Sequence, residues 1–395
     1  MAEWRGLSSM GRILAALAGC GVLAAGPLAG VARATPPAPA TEARAAILVD
    51  GQTGQVLSAY RADRRLPMAS VTKLMTLVLA FRSIAQGRAR LSDWVPVSEE
   101  AYRTEGSQIW LEPGERLTLA QMLTAIAVGS ANDASVAVAQ FLSGSTAAFV
   151  ERMNREAARL NMAGTHFDNP HGLPSLQHYS TAADLARLAV AAVNTPGLLR
   201  VTSHWQNRTI RNGRGGTLWL VNPNRLLRTY PGTDGLKTGY TRAAGFCLVA
   251  TTLRQGTRLI AVILGASTSR ARFSGAAALL SWGFSHFQSV TVVRAGQAIG
   301  AVQVRRGRAS QVLAVVSRRV VLTRPRGAAG VRVQLSLPRT VVAPVAMGQR
   351  LGVATITTAD GVRSQVPLVA AAGVPAVAVP ELFWRFFRAL LTMGA

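Results

Sequence analysis

Lysine is almost missing from this chain. Of 43 basic side chains, only Lys73 and Lys237 are lysine, and the rest are arginine. Arginine stays protonated at any useful pH and cannot accept a proton, whereas a buried lysine can give its proton up. Two lysines kept in a chain that otherwise uses arginine mark positions where ammonium chemistry matters. Cysteine is equally scarce, with Cys20 near the N-terminus and Cys247 in an apolar run. Once a leader containing Cys20 is removed, Cys247 has no internal partner, so packing rather than disulfides must hold the fold. Cys247 has no metal-ligand spacing around it and is expected to be a small buried hydrophobe. The chain also lacks a His/Cys/carboxylate cluster and a phosphate-cradling glycine loop. Metal and nucleotide chemistry therefore find no support, and no cofactor is expected.

What is present begins with an export signal over residues 1–34. Arg5 and Arg12 precede an apolar stretch from Ile13 to Ala29, and Ala32-Arg33-Ala34 has the small-x-small form of a cleavage site. Leu17-Ala18-Gly19-Cys20 offers a competing lipoprotein site, and a membrane anchor is the other alternative; cleavage after Ala34 is preferred. Acids number 18 against those 43 bases, and the mature chain would keep a net charge of +23. Such a charge suits a polyanionic partner. An exported protein rarely meets nucleic acid, so membrane and wall are the expected surfaces. The expected location is the periplasmic face of the inner (cytoplasmic) membrane, with peripheral attachment.

A Pro/Ala linker (35–44) leads into a first domain (45–287) that mixes strand and helix signals. Ala46–Asp50 and Gln55–Ala59 read as strands around a glycine-containing turn. The apolar run Leu74–Ala85 continues from Ser70 without a breaker and places Ser70 at a helix N-terminus. Leu117–Val128 and Ala134–Leu142 read as buried helices flanking Gly129-Ser130-Ala131-Asn132-Asp133, and Phe246–Thr252 and Leu259–Leu264 as paired strands. From 290 to 372, short Val-rich segments alternate with Gly and Pro turns, predicting a small all-β domain. It holds twelve arginines, one acid and no aromatic residue, which argues against a base-stacking platform and leaves a solvated basic surface or a wall- or lipid-facing one. In the tail, 380–395, Glu381, Arg385, Arg388 and Thr392 form one polar stripe on a helix otherwise covered by Leu, Phe and Trp. That helix would span only ~24 Å, short of the ~30 Å hydrocarbon core. It is expected to lie in an anionic membrane surface, the alternative being a helix packed on its own domain.

Serine is a poor nucleophile until a base takes its proton. Ser70 and Lys73, three apart on one probable helix, present their side chains to the same face. Ser-x-x-Lys alone is weak; its company makes it specific. Ser130-Ala131-Asn132 and Lys237-Thr238-Gly239 follow in the order and spacing of the penicillin-recognising serine acyltransferases. With Asn169-Pro170-His171-Gly172-Leu173 and Asp234-Gly235-Leu236 before Lys237, the chain resembles the D-alanyl-D-alanine carboxypeptidases among the low-molecular-mass penicillin-binding proteins, over nearly its whole length.

The resemblance implies an α/β (α+β) catalytic domain of the penicillin-binding/β-lactamase-like type, then a small all-β domain and a C-terminal amphipathic helix. It implies that Ser70 attacks the carbonyl between the last two D-alanines of a peptidoglycan stem peptide while Lys73 accepts its proton. Ser130 would relay the proton to the leaving D-alanine, and Asn132 would hold the peptide amide. Lys237 and Thr238 would take the terminal carboxylate, with Gly239 beside them. The N–H groups of Ser70 and Tyr240 would form the oxyanion hole, where one lost donor costs ~10²–10³ in rate. Arg272, with Arg270 as a rival, matches the second cationic contact to the carboxylate. β-Lactam antibiotics would act as inhibitors. Ala131 in place of the commoner glycine, and Tyr240 where some relatives have histidine, bear on deacylation. His166 and His171 lack a Ser/His/Asp pattern and are expected to be structural. A serine β-lactamase would need a glutamate between the second and third motifs, and none occurs between Glu156 and Glu381. A D,D-endopeptidase and a non-catalytic wall-binding or β-lactam-sensing protein remain as alternatives.

Overall fold

The computed structural model describes residues 36–211, 216–328, 330–358 and 363–377. The export leader with its alternative lipoprotein site, and the amphipathic tail, lie outside the described residues. Five strands form the central sheet: β1 (Ala45–Asp50), β2 (Val56–Tyr60), β3 (Thr233–Thr241), β4 (Gly245–Arg254) and β5 (Thr257–Ala266). Their order is β2-β1-β5-β4-β3, and every neighbouring pair is antiparallel. Successive side chains of a strand point to opposite faces, and here both faces are covered. Ile47 and Val49 enter one core while Ala46 and Leu48 enter another. This double burial is why β1, β4 and β5 read as nearly unbroken apolar runs.

The first core is closed by α1 (Lys73–Ala85), α2 (Asn132–Ser143), α3 (Thr146–Arg159) and α4 (Ala182–Val193), the second by α5 (Ser269–His286). Leu74, Met75, Leu77 and Val78 of α1 are all fully buried, each stabilising the fold by roughly 1.5–3 kcal/mol. Local caps set the helix starts. The hydroxyls of Ser145, Thr181 and Thr268 accept from backbone N–H groups three residues on. Leu117–Val128 is not the single helix its composition suggests. Arg116–Thr118 pairs with Trp94–Pro96 as a strand, and a Thr118/Gln121 capping box starts the helix at Leu119. A π-helical turn, Ala125–Gly129, ends it.

Helix α5 passes directly into β6 (Phe287–Val293), which opens the C-terminal region. There follow β7 (Ala298–Arg305), β8 (Gln311–Val316), β9 (Val320–Pro325), β10 (Arg332–Ser336), β11 (Thr340–Val342), β12 (Arg350–Thr357) and β13 (Arg363–Ala370). β6 pairs with β9, and the others form a sheet ordered β10-β12-β13-β8-β7-β11 around a core of valine, leucine, isoleucine and alanine. All arginines of this region except the half-buried Arg324 are exposed. The buried carboxylate of Asp50, at the end of β1, ties the two regions together by accepting from Ser289 (3.1 Å) and Thr323.

Candidate active site

Ser70 lies in a single 3₁₀ turn, Ala69–Thr72, that leads straight into α1. Entry into that turn puts Ala69 in the left-handed region, at φ +49°, unusual for a non-glycine residue. Ser70 thereby sits at the helix N-terminus, where developing negative charge is favoured. Lys73 follows one turn later and is fully buried. Its Nζ donates to Ser70 Oγ (3.0 Å), Asn132 Oδ1 (2.6 Å) and the His171 carbonyl (2.7 Å). Burial first, and the Lys237 ammonium second, hold Lys73 well below the usual ammonium range, against an opposing pull from Asp133.

The second cluster comes from the end of the π-helical turn. Ser130 caps it in a left-handed conformation (φ +59°, ψ +30°), and α2 begins at Asn132 two residues later. The chain thus reverses tightly enough to aim both side chains at the lysines. The third motif lies on β3, the edge strand of the sheet. Lys237 is buried, and its Nζ donates to Ser130 Oγ (2.9 Å) and to the Thr238 carbonyl (3.1 Å). Burial and the nearby Arg272 guanidinium bring Lys237 down to about 7. A hydrogen-bonded path thus runs from Ser70 through Lys73 to Asn132, and from Lys237 to Ser130. Gly239 packs directly on the nucleophile turn. A Cβ there would stand 2.7 Å from the Met68 carbonyl oxygen and 3.0 Å from the N atoms of Ser70 and Val71. Thr238 is buried beside it, whereas Tyr240 is exposed and lies against Phe246 at 4.3 Å between ring centroids.

The model of the family described as D-alanyl-D-alanine carboxypeptidase matches residues 32–268, and that of the penicillin-binding protein 5 C-terminal domain matches 287–376. The D-alanyl-D-alanine carboxypeptidase DacF of Bacillus subtilis is 36% identical over 84% of this chain and 85% of its own. The chain belongs to the D-alanyl-D-alanine carboxypeptidase family. DacC of Escherichia coli is 34% identical over 76% of either chain. Penicillin-binding protein 5 of Haemophilus influenzae superposes with a TM-score of 0.73 at 29% identity, over 85% of this chain and 98% of that one. The ampicillin-bound penicillin-binding protein D2 of Listeria monocytogenes gives 0.56 at 29% identity, over 63% and 100%. The fold is therefore the mixed α/β catalytic type followed by an all-β domain.

Within this family member, Arg272 is not a surface contact. Its guanidinium is buried, donates to the Gly239 and Cys247 carbonyls (3.2 and 3.3 Å) and lies against the Phe273 and Phe246 rings, while Nε has no partner. Arg270 is exposed. Cys247 is buried, with burial pushing its thiol up to about 11. His166 binds the Gln177 carbonyl at the surface. His171 contributes its carbonyl to Lys73, and burial depresses its imidazole to about 3.

Two residues that sequence reasoning missed support the site from behind. His178 Nδ1 accepts from the Asp168 N–H (3.0 Å), so its Nε2 carries the proton and donates to Thr72 Oγ1 (2.6 Å). Thr72 Oγ1 in turn donates to the Ala69 carbonyl (2.8 Å), pinning the left-handed entry to the nucleophile turn. Asp133 accepts from the N–H groups of Ile109 and Leu111 and fixes the loop around Asn132. The available signal was adjacency for Asp133, which follows the second motif; for His178 there was none.

Proposed function

We propose that this protein removes the terminal D-alanine from peptidoglycan stem pentapeptides through an acyl-enzyme on Ser70. The observation that carries the reading is the fully buried Lys73 ammonium 3.0 Å from Ser70 Oγ. A lysine held below its ordinary pKa is available as a base, and Ser70 cannot attack without one. In the proposed sequence Lys73 takes the Ser70 proton as Oγ adds to the carbonyl carbon. The tetrahedral oxyanion faces the N–H groups of Ser70 and Tyr240, an arrangement favoured by the seating of Gly239 on the Ser70 turn. Ser130 relays the proton taken by Lys73 to the leaving D-alanine nitrogen, the Lys237 ammonium holding the Ser130 hydroxyl in place at 2.9 Å. Asn132 orients Lys73 and the substrate amide, and Lys237, Thr238 and Arg272 attract the terminal carboxylate. Water then attacks the acyl carbon, Lys73 taking its proton and returning it to Ser70 Oγ, 3.0 Å away, as that oxygen leaves.

The same serine would be acylated by β-lactams, as the Listeria relative is seen with ampicillin bound. The leader and the amphipathic tail support a peripheral protein on the periplasmic face of the inner membrane, with the catalytic domain over 45–287 and the β domain over 290–372. The test is D-alanine release from a peptide ending in D-Ala-D-Ala, comparing the mature protein with Ser70→Ala. Release that vanishes in the variant supports the reading. No release from either protein refutes it, and a penicillin mass adduct on Ser70 then separates an endopeptidase from a binding protein.

A further inference from the structure

Trp110 is an unpartnered aromatic ring on the loop tied to Asn132 and Asp133. The residue is 69% exposed, and its backbone is left-handed at φ +56°, a conformation bulky residues seldom adopt. The residues on either side, Ile109 and Leu111, are buried, and both donate their N–H groups to Asp133 Oδ2 at 3.0 and 3.2 Å. Asn132 holds the same loop further back, its N–H donating to the Ser107 carbonyl (2.6 Å) and its Nδ2 to the Glu105 carbonyl. The anchors that turn the ring outward are thus Asn132, which contacts Lys73, and its chain neighbour. Of the other exposed rings, Tyr60 is covered by Arg61, Trp94 by Arg116, Trp219 by Arg208 and Tyr240 by Phe246, while Tyr102, less exposed than Trp110, also has no ring or cation against it. Among the described residues, no ring or cation lies against Trp110.

The charge around it is also reversed. Residues 99–115 contain five glutamates and one arginine, in a chain whose net charge is +25. Glu105, exposed, lies at the Asn132 contact itself. A cationic group would be repelled by most of this protein's surface and attracted here.

We propose that Trp110 is a specificity-determining residue: its ring receives the long side chain, methylenes ending in an ammonium, of the substrate residue that precedes the scissile D-Ala-D-Ala pair. This rests on the carboxypeptidase reading. Consecutive Cα atoms are ~3.8 Å apart, so the Cα of that residue, one step back from the D-alanine bearing the scissile carbonyl, lies within about 5 Å of it, and the loop carrying Trp110 is tied to Asn132, which contacts Lys73. Indole faces attract ammonium groups within about 6 Å, the methylenes cover apolar ring surface, and Glu105 adds charge complementarity.

The experiment measures kcat/KM for D-alanine release from three acylated tripeptides ending in D-Ala-D-Ala. Their first residues are lysine with a free ε-ammonium, lysine with an acetylated ε-amine, and alanine. Wild type is expected to prefer the free-ammonium peptide over the alanine peptide by about three- to thirtyfold. Trp110→Ala is expected to erase that preference while leaving the alanine peptide within about twofold. Trp110→Phe should keep part of the preference, and Glu105→Gln should lower only the gap between the free and acetylated lysines. Equal losses on all three peptides would assign Trp110 a merely structural role and overturn the proposal, as would an unchanged preference in Trp110→Ala. Wild type that hydrolyses none of them would instead refute the carboxypeptidase reading.

Discussion

Gly239→Ala tests whether the seating of β3 on the nucleophile turn is what builds the site. The added Cβ would lie 2.7 Å from the Met68 carbonyl oxygen and 3.0 Å from the N atoms of Ser70 and Val71. Carbon contacts are comfortable at about 3.5 Å, so the overlap with the Met68 oxygen is about 0.8 Å. All three obstructing atoms are backbone, so no side chain can swing away. Gly239 itself is not in a left-handed conformation, which makes the conflict purely steric. Strand and turn must separate by a few tenths of an ångström or more, and the Ser70 and Tyr240 N–H groups would then no longer converge on one oxygen. Losing one oxyanion donor costs ~10²–10³ in rate, and a misplacement near 1 Å costs ~10². The expected outcome is a penicillin acylation rate at least about a hundredfold below wild type, read by stopped-flow fluorescence or by mass spectrometry of quenched samples. The fold should survive, because the strain is local to an edge strand. Acylation within about threefold of wild type, by a protein that melts as wild type does, would refute the proposed oxyanion geometry.

Lys73→Arg keeps the charge and removes the base; it should lower acylation by about 10²–10⁴, and substantial penicillin labelling of that variant would remove Lys73 from the role. His178 is held neutral in the fold at about 4, chiefly by burial, whereas an unfolded histidine titrates near ~6.5. A depressed histidine contributes nothing against folding above pH ~6.5 and progressively favours unfolding as pH falls toward 4. That amounts to about 3 kcal/mol. Urea titrations at pH 7 and pH 4 should show His178→Gln, which keeps a donor and an acceptor, losing less stability than wild type by roughly this amount; equal losses would mean that His178 is not the titrating group. Deleting Pro380–Ala395 should free the protein from sedimenting membranes while soluble peptide hydrolysis persists, and unchanged sedimentation would rule out the tail as the anchor.

The motifs were legible because each is a short piece of backbone whose spacing does the work. Ser70 and Lys73 share a helix turn, and Lys237 to Gly239 share one strand. Their meeting, Lys73 on Asn132 and Lys237 on Ser130, required three separate segments to converge, and spacing could suggest that only through resemblance. Composition misled where two short elements abut. Leu117–Val128 is apolar throughout, but Thr118 and Gln121 form a cap inside it, and the π-helical turn at its end is what turns Ser130 toward Lys237. His178 was illegible for a different reason. Its partner Thr72 lies 106 residues away, and the tautomer that makes it a donor is fixed by the Asp168 backbone. His171 was singled out for its imidazole, while its carbonyl is what reaches Lys73; a backbone group leaves no trace in residue identity. Arg272 shows the same limit from the other side. Its charge and position were readable, but not that Nη1 donates to the Gly239 and Cys247 carbonyls and Nη2 to Ser269 Oγ (3.4 Å) while Nε has no partner. Sequence names the groups that carry charge and nucleophilicity; the backbone atoms that aim them become visible only when the chain is folded.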